Sequence, residues 1–120
     1  MPKSTLYHNP RCTKSRQALA YLNEHSQDVT VVEYLKEPLS LDAVSAIYDA
    51  LHISSAHKMI RPKEAEFTLA GLSKASSDQE VLQAIVEYPK LLERPILLID
   101  DEKPRAAIGR PLDLIIDLLG

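Results

Sequence analysis

The run Pro95-Ile96-Leu97-Leu98-Ile99 constrains this chain more than any other stretch. Four consecutive aliphatic residues show no polar alternation, so a strand made from them is apolar on both faces and both faces need cover. Such a strand belongs inside a sheet with helices packed against it. Asp100-Asp101-Glu102-Lys103-Pro104 then turns the chain at a solvated tip, and Arg105 to Ile108 returns as the second strand of a hairpin. Upstream, Thr5-Leu6-Tyr7-His8 is β-prone and stops at Asn9-Pro10, a turn signal. From Cys12 to about Asn23 the pattern is helical, with Ala18, Leu19 and Leu22 on one face. Val29 to Tyr34 is β-branched and alternating, and Pro38 closes it. Pro111 suits the first position of a last helix whose apolar face is Leu112, Ile115, Ile116 and Leu119.

Between these two groups of elements the period is helical. Ser40 reads as an N-cap, followed by Leu41, Val44, Ile47, Tyr48 and Leu51 at helical spacing. Ser54 to Ile60 reads as a short helix stopped by Pro62, and Glu64 to Gly71 as a further turn or two with Gly71 at its C-terminal end. Ser77 with Glu80 forms a capping box ahead of Val81, Leu82, Ile85 and Val86. The order is β-α-β, a helical block, then β-β-α. It describes an α/β protein of thioredoxin-like (glutaredoxin-like) layout: a mixed β-sheet flanked by helices, one domain over 1–120, with a helical insertion at about 41–88.

Composition narrows the function. The chain has 120 residues, a net charge of −3 and a single cysteine, Cys12. One cysteine excludes an internal disulfide and a multi-cysteine zinc or iron–sulfur cage. His8, His25, His52 and His57 show no metal-binding spacing, so no metal site is expected. The net negative charge and the absence of Trp argue against nucleic acid as a partner. No apolar stretch is long enough to span a bilayer, and the N-terminal residues lack the apolar core of a signal peptide. With a free thiol, these features predict a cytoplasmic protein.

The chemistry gathers around Tyr7-His8-Asn9-Pro10-Arg11-Cys12-Thr13-Lys14-Ser15-Arg16. Cys12 falls where the first strand gives way to the first helix. Its thiol is expected to face the unpaired backbone N–H groups of the first turn, which stabilise an anion. Arg11, Lys14 and Arg16 add three nearby cations. Both effects lower a thiol pKa and point to a nucleophilic cysteine. Ser15 stands where dithiol enzymes keep a second cysteine; its hydroxyl is expected to hydrogen-bond the thiolate but cannot close a disulfide. His8, four residues ahead of Cys12, is a candidate to hold a proton near the sulfur or to lower its pKa. Arg61, Arg94 and Arg110 each precede a proline, which puts each at an element boundary. Arg94-Pro95 falls where thioredoxin-like folds place a cis-proline against the active cysteine. Three guanidinium forks around one thiolate suit a tetrahedral oxyanion. Arg105 is expected to be a surface charge.

The stretch from His8 to Arg16 resembles the signature of the glutathione/glutaredoxin-coupled arsenate reductase family. The resemblance continues through Glu33-Tyr34-Leu35 with Pro38, Ile60-Arg61 with Lys63-Glu64, Leu92-Glu93-Arg94-Pro95-Ile96, and Ile108-Gly109-Arg110-Pro111. It implies a thioredoxin-like fold with Cys12 as nucleophile. It implies Arg61, Arg94 and Arg110 as arsenate ligands with Asn9 as a further substrate contact, and His8 and Ser15 as residues that tune the thiolate. It implies arsenate as substrate, glutathione as co-substrate, glutaredoxin as protein partner and no tightly bound cofactor. Pro62 departs from the family pattern, in which many members carry Thr. Two alternatives share the layout. Spx-like transcription regulators usually carry Cys-x-x-Cys and lack the full arginine set. Monothiol glutaredoxins, representing glutathione-linked thiol oxidoreductases with another substrate, show Cys-Gly-Phe-Ser instead of Cys12-Thr13-Lys14-Ser15.

Overall fold

The computed structural model describes residues 3–25 and 28–119; Met1, Pro2, Ser26, Gln27 and Gly120 lie outside the described residues. In chain order the elements are β1 (Lys3–Tyr7), α1 (Thr13–Glu24), β2 (Val29–Val32), α2 (Leu41–Leu51), a 3-10 turn at Ala56–Met59, α3 (Ala65–Leu69), α4 (Asp78–Glu87), a second 3-10 turn at Pro89–Leu91, β3 (Ile96–Asp100), β4 (Arg105–Ile108) and α5 (Asp113–Leu119). The chain divides into two compact units, Met1–Glu37 with Arg94–Gly120, and Pro38–Glu93.

The first unit is a four-stranded mixed sheet in the order β2-β1-β3-β4. β1 runs parallel to β2, as the intervening helix α1 requires, and antiparallel to β3; the β3–β4 hairpin completes it. Leu6 of β1 stands opposite Leu97 of β3. With Ala18 and Leu22 of α1 and Ile115 of α5, they form a core in which no side chain is more than 1% exposed. Ile96 and Leu97 are neighbours on β3 and point to opposite faces, yet both are buried. The unalternating apolar run therefore does what its composition implied.

Two boundaries differ from the pattern in the sequence. β2 stops at Val32 and not at Tyr34, because the Glu33 carbonyl accepts the Lys36 and Glu37 N–H groups and starts a turn there. α5 begins at Asp113 and not at Pro111; the chain bends through Pro111 and Leu112, with the Leu114 N–H reaching back to the Pro111 carbonyl.

The second unit is held by local caps and one acidic node. The Ser40 hydroxyl accepts the Ala43 N–H at the start of α2, and Ser77 and Glu80 form the expected capping box on α4. Ala56–Met59 is 3-10 and not α-helical, and α3 is only five residues long. Gly71 follows α3 at φ 72°, a conformation glycine adopts without a Cβ penalty. Asp78 accepts the Tyr48 hydroxyl at 2.9 Å, the Ala56 N–H at 3.0 Å and the Ser55 hydroxyl at 3.3 Å, tying α2, the first 3-10 turn and α4 together. Val44, Ile47, Met59, Val81, Ile85, Leu91 and Leu92 are buried here. An antiparallel bridge between Ile60 and Leu92 lays the segment carrying Arg61 against residues 91–93. The Arg61 N–H donates to the Leu91 carbonyl, and the Glu93 N–H to that of Met59.

Among the described residues no helix is long and apolar enough to cross a membrane.

Candidate active site

Cys12 is the N-cap residue of α1, extended at φ −94° and ψ 123°. Its own N–H donates to the Asn9 carbonyl, and its carbonyl accepts the Arg16 N–H of the first helical turn. Asn9 shapes the approach: its side-chain oxygen accepts the Arg11 N–H at 3.0 Å, an Asx turn that brings the chain from β1 into the helix. The sulfur is therefore held at the end of a helix whose first N–H groups have no backbone partner.

Burial works against the thiolate, but it is outweighed. The backbone N–H of Ser15, the Arg94 side chain, the backbone N–H of Lys14 and the charge of Arg110 together hold the thiol below its ordinary pKa. Arg110 donates from Nη2 to the sulfur at 3.3 Å and from Nε to the Arg94 carbonyl at 2.7 Å. Arg94 also keeps a buried Nε that has no hydrogen-bond partner among the described residues. An orphaned guanidinium nitrogen beside a thiolate is a donor available to an oxyanion.

Two expectations about this loop change. The side chains of Arg11, Lys14 and Arg16 are exposed, and Arg16 is engaged by the Pro10 carbonyl and the Thr13 hydroxyl. The helix start contributes through its backbone, because its basic side chains are exposed to solvent. The Ser15 hydroxyl does not serve the sulfur either. It is fully buried, accepts the Asn9 N–H at 3.0 Å and lies 2.7 Å from His8 Nδ1. It is the backbone of Ser15 that reaches Cys12.

His8 is 5% exposed. Burial lowers its pKa, Glu33 opposes that effect and Arg16 adds to it. A neutral imidazole with its proton on Nε2 accepts the Ser15 hydroxyl proton at Nδ1, the arrangement that leaves this buried hydroxyl with both a donor and an acceptor. His8, Asn9 and Ser15 are thus one buried polar cluster under the cysteine loop.

The Arg94-Pro95 peptide is cis, as the sequence predicts; Arg110-Pro111 is cis as well. Arg94 and Arg110, far apart in sequence, meet at Cys12. Arg61 belongs to the second unit, where its Nε lies 3.6 Å from Glu64 and 3.9 Å from Glu93 and its Nη1 is buried with no hydrogen-bond partner among the described residues. Glu64 and Glu93 are the acidic neighbours of Arg61; sequence patterning did not assign them to it, although the Arg61–Glu64 spacing of three is a readable signal. Arg105 pairs with Asp101 at 2.6 Å near the hairpin tip and is partly exposed, as expected of a surface charge. No cluster of three or more potential metal ligands occurs among the described residues.

A mixed sheet that presents one cysteine at a helix N-terminus, with the side chain of the residue before a cis-proline at its sulfur, is a thioredoxin-like arrangement in single-thiol form. The ArsC family profile matches residues 7–117. An arsenate reductase of Neisseria meningitidis serogroup A is 41% identical over 116 residues, spanning 96% of this chain and 97% of that protein. The uncharacterised protein YfgD of Escherichia coli K12 is 36% identical over 116 residues, spanning 96% and 95%. The solved arsenate reductase of Vibrio cholerae matches with a TM-score of 0.87 at 32% identity, covering 97% of each chain. The chain belongs to the ArsC family.

Proposed function

We propose that this protein is an arsenate reductase in which the Cys12 thiolate attacks arsenate and external thiols complete the reduction to arsenite. The observation that carries the reading is the sulfur held between Arg94 and Arg110 at the start of α1. The names of its relatives supply the substrate. The thiolate forms an S–As bond and an arsenate oxygen leaves as water or hydroxide. Guanidiniums suit both ends of that step: they stabilise the thiolate beforehand and the oxyanion during attack. Arg94 Nε is the donor free for an arsenate oxygen; Arg61, whose Nη1 has no hydrogen-bond partner among the described residues, is read as a further arsenate ligand on the strength of its motif. His8 and Ser15 act from beneath the loop, fixing the turn that presents Cys12. Asn9 acts on substrate through the loop it shapes, its side-chain oxygen being engaged by Arg11.

The reductant must come from outside. Passing from As(V) to As(III) takes two electrons, and a chain with one cysteine cannot supply them by closing an internal disulfide. Glutathione then replaces a second arsenic oxygen of the adduct, which leaves as water, and forms a second S–As bond. The glutaredoxin thiolate attacks the glutathione sulfur; a mixed disulfide forms, the glutathione S–As bond breaks and its electron pair stays on arsenic, now As(III). Water hydrolyses the remaining S–As bond, releasing arsenite and the Cys12 thiol. The reading places the protein in the cytoplasm, where such thiols are kept reduced. The test is arsenate-dependent NADPH oxidation in the presence of glutathione, glutaredoxin and glutathione reductase. Turnover that requires arsenate and both thiols is expected; no arsenate dependence with an intact, alkylatable Cys12 overturns the assignment.

A further inference from the structure

Gly109 is buried and lies between β4 and the bend that carries Arg110. Its N–H donates to the Pro95 carbonyl at 2.8 Å, one rung beyond the last β3–β4 pair, Ile96 with Ile108. The Arg110 N–H then turns back to the Ile108 carbonyl at 2.9 Å, a three-residue turn centred on Gly109. The next link is the Arg110 side chain, with Nε on the Arg94 carbonyl and Nη2 on the Cys12 sulfur. A Cβ on residue 109 would lie 2.7 Å from Ile115 Cδ1 and 2.8 Å from Pro95 Cγ. The first of these is the tip of a flexible side chain and can rotate. The second belongs to a ring tied to the backbone at both ends, whose only internal freedom is its pucker, so the overlap that a pucker change does not relieve pushes the Pro95 and Gly109 segments apart.

We propose that Gly109 is a positioning residue for the Cys12 site: its missing Cβ lets the turn after β4 close onto Pro95, and that closure carries the Arg110 guanidinium to the sulfur. Space, and not an unusual backbone angle, demands glycine here. The contact joins the two arginine-bearing segments directly, since Pro95 follows Arg94 and Gly109 precedes Arg110. Separating them by even a few tenths of an ångström acts on both the Nε bond to the Arg94 carbonyl and the 3.3 Å contact to sulfur.

The inference rests on Cys12 as the reacting thiol, and its test reads that thiol without arsenate, so its failure is distinguishable from failure of the arsenate reductase reading. The measurement is the rate of iodoacetamide alkylation of Cys12 against pH. Gly109→Ala should move the profile up by about one pH unit, the lower end of what an adjacent opposite charge produces. Below the pKa this is roughly a tenfold loss of thiolate. Gly109→Ala with Ile115→Val removes the methyl that the new Cβ meets in the core; it should recover thermal stability while leaving the alkylation profile displaced. In an Arg110→Ala background, Gly109→Ala should add no further displacement. A folded Gly109→Ala/Ile115→Val protein with the wild-type profile overturns the proposal. So does an equal displacement with and without Arg110. Failure of both Gly109 variants to fold would assign the close approach to the core and overturn it too.

Discussion

The two units hold their arginines by opposite means. In the first, Arg110 donates to the Cys12 sulfur and Arg94 to the same atom, so both guanidiniums act on the thiol with no ligand in between. In the second, Arg61 stands between two carboxylates, Glu64 and Glu93, at ion-pair distances longer than hydrogen bonds. A guanidinium on a thiolate raises the population of the nucleophile. A guanidinium between carboxylates has its charge balanced until a stronger oxyanion competes for it. Three arginines in similar Arg-Pro settings therefore have different neighbours: Arg94 and Arg110 act on a sulfur, while Arg61 faces two carboxylates.

The largest expected effect is a control on the whole comparison. Cys12→Ser should lower turnover by on the order of a thousandfold or more while circular dichroism stays native, because serine at this position supplies no thiolate. Residual activity near wild type would move the chemistry elsewhere.

The arginines come next and divide the units. Replacing Arg94, Arg110 or Arg61 with Ala should each lower kcat/KM for arsenate by roughly ten- to a hundredfold, the cost of a charge-assisted contact. Alkylation of Cys12 separates them. Its pH profile should move upward in Arg94→Ala and Arg110→Ala and stay in place in Arg61→Ala. A displaced profile in Arg61→Ala would erase the distinction. Lys at Arg94 or Arg110 should rescue only in part, since an ammonium keeps the charge and loses the planar fork.

Acid should loosen the units in sequence. His8 has its pKa lowered by burial, so the unfolded chain takes up a proton first as pH falls through about 6.5, and stability of the first unit declines from there toward the folded value. Cys12, also lowered, acts in the same direction: its contribution is complete above about 8.5 and is lost as pH falls through its folded pKa. In the second unit, the Ala56 N–H, the Tyr48 hydroxyl and the Ser55 hydroxyl hold the Asp78 carboxyl below its ordinary value. That contribution is intact above about 3.9 and is lost only as pH falls through the folded pKa. Amide exchange followed from pH 7 to 4 should therefore show protection falling in β1 and α1 while α2 and α4 stay protected, with loss in α2 and α4 appearing only on further acidification. The reverse order would show that other groups govern acid stability.

Arg105→Ala should have the smallest effect, with arsenate kinetics within about twofold of wild type, because an exposed pair such as Arg105 with Asp101 contributes little. A larger loss would bring Arg105 into the site.

The elements most visible in the sequence were those whose cause is local. Ser77 and Glu80 satisfy the first turn of α4 within four residues, and the Ile96 to Ile99 run needs only its own composition to read as a buried strand. Cys12 at the helix start was legible for the same reason, since Asn9-Pro10 ends the strand and the apolar period begins after it. The ends of β2 and α5 were less so, because the turn at Glu33 and the bend through Pro111 depend on backbone hydrogen bonds that no residue type dictates.

The order of elements, the single cysteine and the impossibility of an internal disulfide are thus properties of the unfolded string of residues. All three follow from nearest neighbours or from a residue count. Which groups act on the sulfur became definite only on folding. Arg11, Lys14 and Arg16 are close to Cys12 in sequence yet point to solvent, the Ser15 hydroxyl turns to His8, and Arg94 and Arg110 arrive from the far end of the chain. The physical reason is that a charge acts through distance and burial, and both are set by sheet pairing: β3 beside β1, and β4 beside β3, carry the two arginines to the end of β1 where Cys12 begins its helix.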